Sequence, residues 1–207
     1  MKTRNILYTA LLSITLTGLF CSCGQGGKTG ALTWKLKDGT LTISGQGAMP
    51  NYGNIVYKNG ESHLEDGCDE VIPWWTLSSE ITSVVIENGV QNIGNKAFSN
   101  LYNLRFVSIP ASVTNIGKNA FSGCSSLNNI TIPNSIISID KFAFSNCSNL
   151  TDVVIGENTK IGSFAFLNSP FGKQYEKPKN NVKYEDLTEE EKRQVDEIKN
   201  VLIEQLK

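Results

Sequence analysis

A pattern of apolar residues recurs every 23 residues through the middle of this chain. One such set is Ile86, Ile109, Ile132 and Ile155, and the others are Val84, Val107, Ile130 and Val153; Leu104, Leu127 and Leu150; and the Ala-Phe pairs at 97–98, 120–121 and 143–144. The next Ala-Phe pair, at 165–166, comes one residue early. Self-similarity at a fixed period predicts an array in which every unit has the same structure.

Each repeat combines two segments that differ in periodicity. Segments such as VSIP and ITIP alternate polar and apolar residues, as does a short strand with one buried face, and each ends at a proline that cannot continue a ladder. The segment 116–124, IGKNAFSGC, spaces its apolar residues as a short helix does. A residue that tolerates the left-handed backbone follows each Phe-Ser pair and closes this turn: Asn100, Gly123 and Asn146. We predict strand, turn, short helix and turn in every repeat.

A single repeat of this kind is too small to fold alone. It offers about seven core side chains, each worth roughly 1.5–3 kcal/mol on burial. Ordering its backbone costs on the order of 1–2 kcal/mol for each residue. Stacking closes the difference because neighbouring repeats bury each other's faces and pair their strands about 4.8 Å apart. The period therefore predicts a solenoid in which one repeat forms one coil.

These residues also carry a family resemblance. The segment 109–136, IPASVTNIGKNAFSGCSSLNNITIPNSI, resembles the BspA-like, or Treponema-type, leucine-rich repeat, and the match covers about Ile81 to Phe166. The resemblance implies an α+β solenoid of about four coils over 81–171, right-handed, with parallel strands on its concave face and short helical segments on its convex face. Residues 30–52 and 73–75 resemble the region that often precedes such repeats.

The ends of the array carry different patterns. Residues 30–80 form the predicted N-terminal β cap region, which begins with a hairpin over Gly30 to Gly45 because Asp38-Gly39 joins two alternating segments. The tryptophans of this region either fill the core of the cap or form a sugar-stacking surface: Trp34, Trp74 and Trp75.

A polar linker over 172–186 and an amphipathic helix over 187–207 follow the repeats. Thr188 and Glu191 form a capping-box pair. The apolar stripe of this helix consists of Val195, Ile198, Leu202 and Leu206. The helix either docks on the last coil or projects and binds a partner.

The first residues have the form of a bacterial export signal. Residues 1–22 combine an early positive charge with an apolar stretch shorter than the roughly 20 residues of a membrane span. Ser22 precedes Cys23 as the small residue of a lipoprotein cleavage box does, so Cys23 is the predicted lipidation site; simple cleavage and free secretion is the alternative. The expected location is the bacterial cell envelope, on either face of the outer membrane, with 23–29 as a flexible tether.

Catalysis and cofactor binding find little support in the sequence. The one histidine, His63, lies in NGESHLEDGCDE, residues 59–70, whose spacing fits no zinc or calcium motif, so we interpret this segment as a solvated cap loop. We expect no enzyme, no metal and no cofactor. With 19 basic and 20 acidic residues, the chain is a poor candidate for nucleic-acid binding. Cys124 and Cys147 occupy equivalent positions and either pair or remain buried thiols.

The predicted function is recognition or adhesion. The family resemblance implies binding of a host matrix protein, a bacterial surface protein or a glycan; the alternative is a structural role in an envelope complex. The predicted binding positions are the outward-facing strand residues, which form two short columns: Ser83, Val85, Phe106, Ser108, Asn129, Thr131, Asp152 and Val154. Phe106 is a large aromatic residue at a solvent-facing position, where it either contacts a ligand or is covered by the cap or a loop.

Overall fold

The structure, a computed structural model, describes residues 25–58, 61–65 and 67–175, together with residues 188, 189, 192, 193 and 196. The described part is a leucine-rich repeat fold built mostly of strands, with the short α-helix α1 (Pro170–Tyr175) and a 3-10 turn at Trp75–Leu77. None of its helices is long and apolar enough to cross a membrane. The strands are β1 (Gln25–Thr29), β2 (Leu32–Lys37), β3 (Thr40–Gly45), β4 (Tyr52–Gly53), β5 (Ile55–Lys58), β6 (Glu61–Leu64), β7 (Glu70–Val71), β8 (Ser83–Ile86), β9 (Asn92–Ile93), β10 (Phe106–Ser108), β11 (Asn115–Ile116), β12 (Asn129–Thr131), β13 (Ser138–Ile139), β14 (Asp152–Val154) and β15 (Lys160–Ile161).

The predicted N-terminal hairpin is confirmed. Strands β2 and β3 are antiparallel, and both turn residues have positive φ, 49° at Asp38 and 74° at Gly39, as in a type I′ turn. The expectation of a flexible tether at 23–29 is wrong for Gln25–Thr29, which forms β1 and pairs with β2. Glycine allows the backbone of β1 to lie close to that of β2, since a Cβ on Gly26 would lie 2.6 Å from the carbonyl oxygen of Trp34.

Equivalent strands of successive repeats pair in parallel. Strand β3 pairs with β8 and β8 with β10, while β12 pairs with β14 and the strands β9, β11, β13 and β15 form a second sheet. Phe106 lies opposite Ser83, and Asn115 lies opposite Asn92, so the register between these repeats equals the 23-residue period. The last step is 22 residues, with Lys160 opposite Ser138, and absorbs the deletion seen in the sequence.

The segments that connect the two ladders are turns, and the prediction of a short helix in each repeat is wrong. Ala120 and Ser122 donate backbone hydrogen bonds three residues back, within their own turn. Phe121, which lies between them, instead donates to the carbonyl of Ala143 in the next repeat, at 2.7 Å. Alternate N–H groups therefore bond to the neighbouring repeat, which excludes the i→i−4 ladder of an α-helix.

Two positions of each connecting turn have the left-handed backbone. The second confirms the prediction for Asn100, Gly123 and Asn146, whose φ values are 59°, 77° and 58°. The first was not predicted and holds Lys96, Asn119, Phe142 and Phe164. Bulky residues rarely adopt this conformation, and Phe142 and Phe164 stack on each other with centroids 5.4 Å apart.

A stack of aromatic rings runs through the core. Phe98, Phe121, Phe144 and Phe166 are buried and lie 5.1–5.3 Å apart, centroid to centroid. Trp74 extends the stack at 5.8 Å from Phe98 and donates its indole N–H to the carbonyl of Ala97. The core interpretation is therefore confirmed for Trp74 and for the partly buried Trp34, whereas Trp75 is 51% exposed.

The two equivalent cysteines of the repeats are buried thiols without a disulfide. Cys124 Sγ donates to the carbonyl of Phe98, and Cys147 Sγ donates to the carbonyl of Phe121, each at 3.2 Å. Burial raises the pKa of both thiols, that of Cys147 to about 12. Neither sulfur is therefore a thiolate at neutral pH.

The segment between the hairpin and the first repeat is held by an ion pair. Lys96 Nζ donates to both carboxylate oxygens of Glu65, each at 2.7 Å. Partial burial favours the neutral carboxyl, but the hydrogen bonds from Lys96 and the backbone of Asn54, with the charges of Lys96 and Lys118, lower the pKa of Glu65. The ionised form is therefore favoured by folding.

The segment that follows the last repeat differs from the prediction. Residues 172–175, expected as the start of a linker, belong to α1, and Phe171 of this helix meets the ring of Phe166 edge-on at 5.0 Å. In the predicted 187–207 helix, the N–H of Lys192 donates to the carbonyl of Thr188, an i→i−4 bond. The apolar stripe at 195, 198, 202 and 206 lies outside the described residues.

The aromatic stack predicts where the fold is sensitive to substitution. Phe121→Ala should lower the free energy of unfolding by roughly 3–5 kcal/mol, because the cavity would lie between two rings. Phe106→Ala is the matched control, since that ring is 54% exposed. Chemical denaturation of both variants measures the difference, and equal stabilities would show that the assignment of the buried face is wrong.

The Glu65–Lys96 pair predicts a pH-dependent contribution to stability. A carboxylate whose folded-state pKa is lowered stabilises the protein at neutral pH, and this contribution is lost as pH falls through that pKa. Glu65→Gln should cost about 1 kcal/mol or less at pH 7, since the pair is partly exposed. The difference from the wild type should begin to shrink near the ordinary value of 4.5 and vanish once the pH is below the lowered pKa of Glu65. Glu189→Gln, which alters an exposed pair with Lys192, should change nothing measurable; a pH-independent effect of Glu65→Gln in thermal melts would contradict the assignment.

Candidate ligand-binding surface

The solvent-facing side of strands β8, β10, β12 and β14 and of the strands that extend their sheet, which we term the strand face, carries all eight predicted binding positions. In β10, Val107 is 8% exposed and points into the core, whereas Phe106 is 54% exposed and points outward. The same alternation holds in β8, β12 and β14. Five of the eight side chains are exposed and three are half-buried; the half-buried ones are Ser83, Val85 and Ser108.

The register aligns these side chains in columns. Ser83 lies opposite Phe106, and Val85 lies opposite Ser108. Asn129 lies opposite Asp152, and Thr131 lies opposite Val154. The two groups lie on separate ladders, β8–β10 and β12–β14. The 23-residue period places Asn129 after Phe106 and Thr131 after Ser108, so each column follows successive repeats with one side chain per strand, although no strand pairing joins β10 to β12.

The strand face extends beyond the repeats, which the sequence interpretation missed. Strand β3 places Thr40 opposite Ser83 and Thr42 opposite Val85. Strand β2 in turn places Lys37 opposite Thr40 and Lys35 opposite Thr42. The sequence does contain a signal for the pairing of β2 with β3, because the Asp38-Gly39 turn fixes the register of the hairpin. The parallel pairing of β3 with β8 joins segments 43 residues apart and has no local signal.

Phe106 is open to solvent among the residues that the structure describes. Its ring is 54% exposed, so the alternative in which the N-terminal region or a loop covers it is wrong for the described parts of both. Aromatic side chains are enriched at binding hot spots. The residues on either side of it in its column, Ser83 and Asn129, are small and polar. This position is the strongest indication of a ligand on the strand face.

Charge is distributed unevenly along the strand face. Lys28, Lys35 and Lys37 lie on β1 and β2 at one end, and Asp152 lies on β14 at the other. The aligned strand positions between these ends hold uncharged side chains, both polar and apolar. The two ends of the strand face therefore carry opposite charges.

The described residues of the histidine segment lie largely in short strands. Part of the expected loop at 59–70 is regular structure, since His63 lies in β6, which pairs with β5, and Glu70 lies in β7. The loop interpretation is wrong there because backbone pairing with residues 52–58 organises the segment. Within the described ranges, no group of three or more His, Cys, Asp or Glu side chains is placed to hold a metal ion.

Comparison with known proteins identifies the repeat. The model of the BspA type leucine-rich repeat region matches residues 76–186 in six copies. A leucine-rich repeat protein from Eubacterium ventriosum shares 25% identity with a TM-score of 0.51, over 70% of this chain and 36% of that protein. No curated protein matches the chain in sequence.

Two further solved structures match part of this chain. A leucine-rich repeat protein from Bacteroides ovatus is 28% identical, with a TM-score of 0.42, over 47% of this chain and 28% of that one. The leucine-rich repeat protein of T. pallidum is 24% identical, with a TM-score of 0.45, over 68% of this chain and 66% of that one. The chain thus spans about a third of the length of the first two structures.

Proposed function

The chain belongs to the BspA-type leucine-rich repeat family, and we propose that it is a non-enzymatic recognition or adhesion protein that binds its ligand on the strand face. Leucine-rich repeat proteins generally serve as binding scaffolds. The observation that carries the proposal is the exposed ring of Phe106, set among small polar side chains on a surface of fixed register. In the proposed solenoid, this surface is the concave face.

The composition of the strand face defines what it recognises. Asn129, Thr131 and Asp152 are exposed and offer hydrogen-bond donors and acceptors, while Phe106 offers an apolar ring. A ligand with many polar groups and one flat apolar face satisfies both. A glycan has these properties, as does an extended segment of a host matrix protein or a bacterial surface protein.

The proposed site of action is the bacterial cell envelope. Residues 1–22 are the proposed export signal and Cys23 the proposed lipidated residue; both lie outside the described residues. The first described strand, β1, begins at Gln25. The anchor would therefore lie close to the N-terminal end of the strand face and hold it near the membrane.

Substitutions on the strand face test the proposed function. A binding screen against matrix proteins and glycans first identifies a ligand. Phe106→Ala and Asp152→Ala should then each lower the affinity for that ligand by roughly tenfold, as expected for contacts at the centre of an interface. Tyr102→Ala is the matched control, because Tyr102 is 60% exposed but lies outside the strand face. Calorimetric titration measures the affinities, and thermal melts should be unchanged. Normal affinity in both strand-face variants would exclude this surface and favour the C-terminal segment.

The anchoring proposal has its own test. Cys23→Ala should release the protein from the membrane fraction, because the acyl chains have no other acceptor at this position. Cys21→Ala is the matched control and should remain membrane-bound, since bulky Phe20 precedes that cysteine. Detergent partition and the mass of the mature N-terminal peptide are the readouts. Membrane association of Cys23→Ala, with no acyl mass on the wild type, would refute the anchor.

A further inference from the structure

Three lysines form a cluster at the N-terminal end of the strand face. On β2, Lys35 lies opposite Thr42 and Lys37 lies opposite Thr40. On the next strand, Thr42 lies opposite Val85 and Thr40 lies opposite Ser83. Lys28 lies on β1 opposite Thr33, two residues from Lys35 on the same side of β2. Directly opposed residues of paired strands share a face. All three lysines are exposed and therefore point away from the core that buries Leu32 and Leu36.

No described carboxylate neutralises this cluster. None of the three ammonium groups forms an ion pair within the described residues. Asp38, next to Lys37 in the hairpin turn, is not within ion-pair distance of it. Gly26, which lies opposite Lys35, has no side chain. A cluster of like charges without counterions attracts an anionic ligand.

The cluster is continuous with Phe106. One column runs from Lys37 through Thr40 and Ser83 to Phe106, with one side chain on each strand. Three strand spacings separate its ends, about 14 Å. The intervening side chains are hydroxyls, and the neighbouring Thr33 and Ser44 hydroxyls are within hydrogen-bond distance at 2.9 Å. The surface between the charges and the ring is therefore short and polar.

We propose that the strand face binds an acidic oligosaccharide, whose acid groups contact Lys28, Lys35 and Lys37 and one of whose sugar rings stacks on Phe106. This inference rests on the proposed function and specifies its ligand. Hydroxyl side chains both donate and accept hydrogen bonds, as sugar hydroxyls do. Ammonium groups form charge-assisted hydrogen bonds with carboxylates or sulfates. A bound peptide strand would instead pair with backbone groups at a sheet edge, whereas this site is formed by side chains on the face of the sheet.

Defined glycans test this proposal on the full-length protein. The probe is a size-defined heparin oligosaccharide, with a neutral dextran oligomer of matched length, titrated by calorimetry. The double variant Lys35→Gln, Lys37→Gln should weaken heparin binding by roughly tenfold or more, because two charge-assisted contacts are lost. The matched control is Lys160→Gln, Lys173→Gln, which removes the same charge from exposed positions outside the strand face. It should change the affinity less than about twofold, since salt screens distant exposed charges.

The ring contact separates a glycan from other anions. Phe106→Ala should weaken heparin binding, whereas binding of poly-glutamate or of vesicles containing phosphatidylglycerol should be weaker and independent of Phe106. Equal or tighter binding of either of these probes would overturn the proposal, as would absence of heparin binding or equal losses in the two double variants. If heparin does not bind but the binding of another ligand requires Phe106 and Asp152, the proposed function stands and only the acidic glycan is excluded. If every ligand binds normally to Phe106→Ala and Asp152→Ala, the proposed function falls as well.

Discussion

The stacking of one aromatic ring on the next determines the geometry of the whole repeat array. The rings of Phe98, Phe121, Phe144 and Phe166 lie 5.1–5.3 Å apart. Hydrogen-bonded strands lie about 4.8 Å apart. Because these spacings are nearly equal, one translation satisfies the core, both strand ladders and the backbone bonds between turns. A residue of any other shape at the ring position would disturb all three at once, which explains why the 23-residue period is most regular at buried positions.

The same constraint leaves the outward positions free to vary. In the column that contains Phe106, the repeats place Ser83, Asn129 and Asp152, which differ in size, polarity and charge. The connecting turns show a second kind of freedom. Lys96 and Asn119 occupy a left-handed position that becomes Phe142 and then Phe164 in later repeats. Such a backbone costs roughly 1–2 kcal/mol for a bulky residue, and the stacking of these two rings, packed with Leu167, offsets that cost.

Local signals in the sequence predicted the parts of the fold that depend on short-range geometry. Asp38-Gly39 determined the hairpin, and the position of Asn100 and its equivalents predicted a left-handed residue. The connecting turns were mistaken for helices because their apolar spacing is similar, although the hydrogen bonds of Phe121 go to another repeat. Strand β1 was missed because glycine-rich segments are usually flexible. The pairing of β3 with β8 was also missed, and with it the lysines of the candidate site, since contacts between distant segments leave no local pattern.

The continuous sheet gives the candidate site its rigidity. Lys35, Thr40, Ser83 and Phe106 all lie on strands whose backbones are hydrogen-bonded to one another, rather than on loops. Their relative positions are therefore set by strand register, which a ligand does not have to organise when it binds. The N-terminal hairpin thus contributes in two ways, because its buried side extends the core and its exposed side extends the strand face. A surface built in this way recognises spacing, since each strand offers one side chain per column, and this favours a ligand that is itself a chain of regularly repeated units.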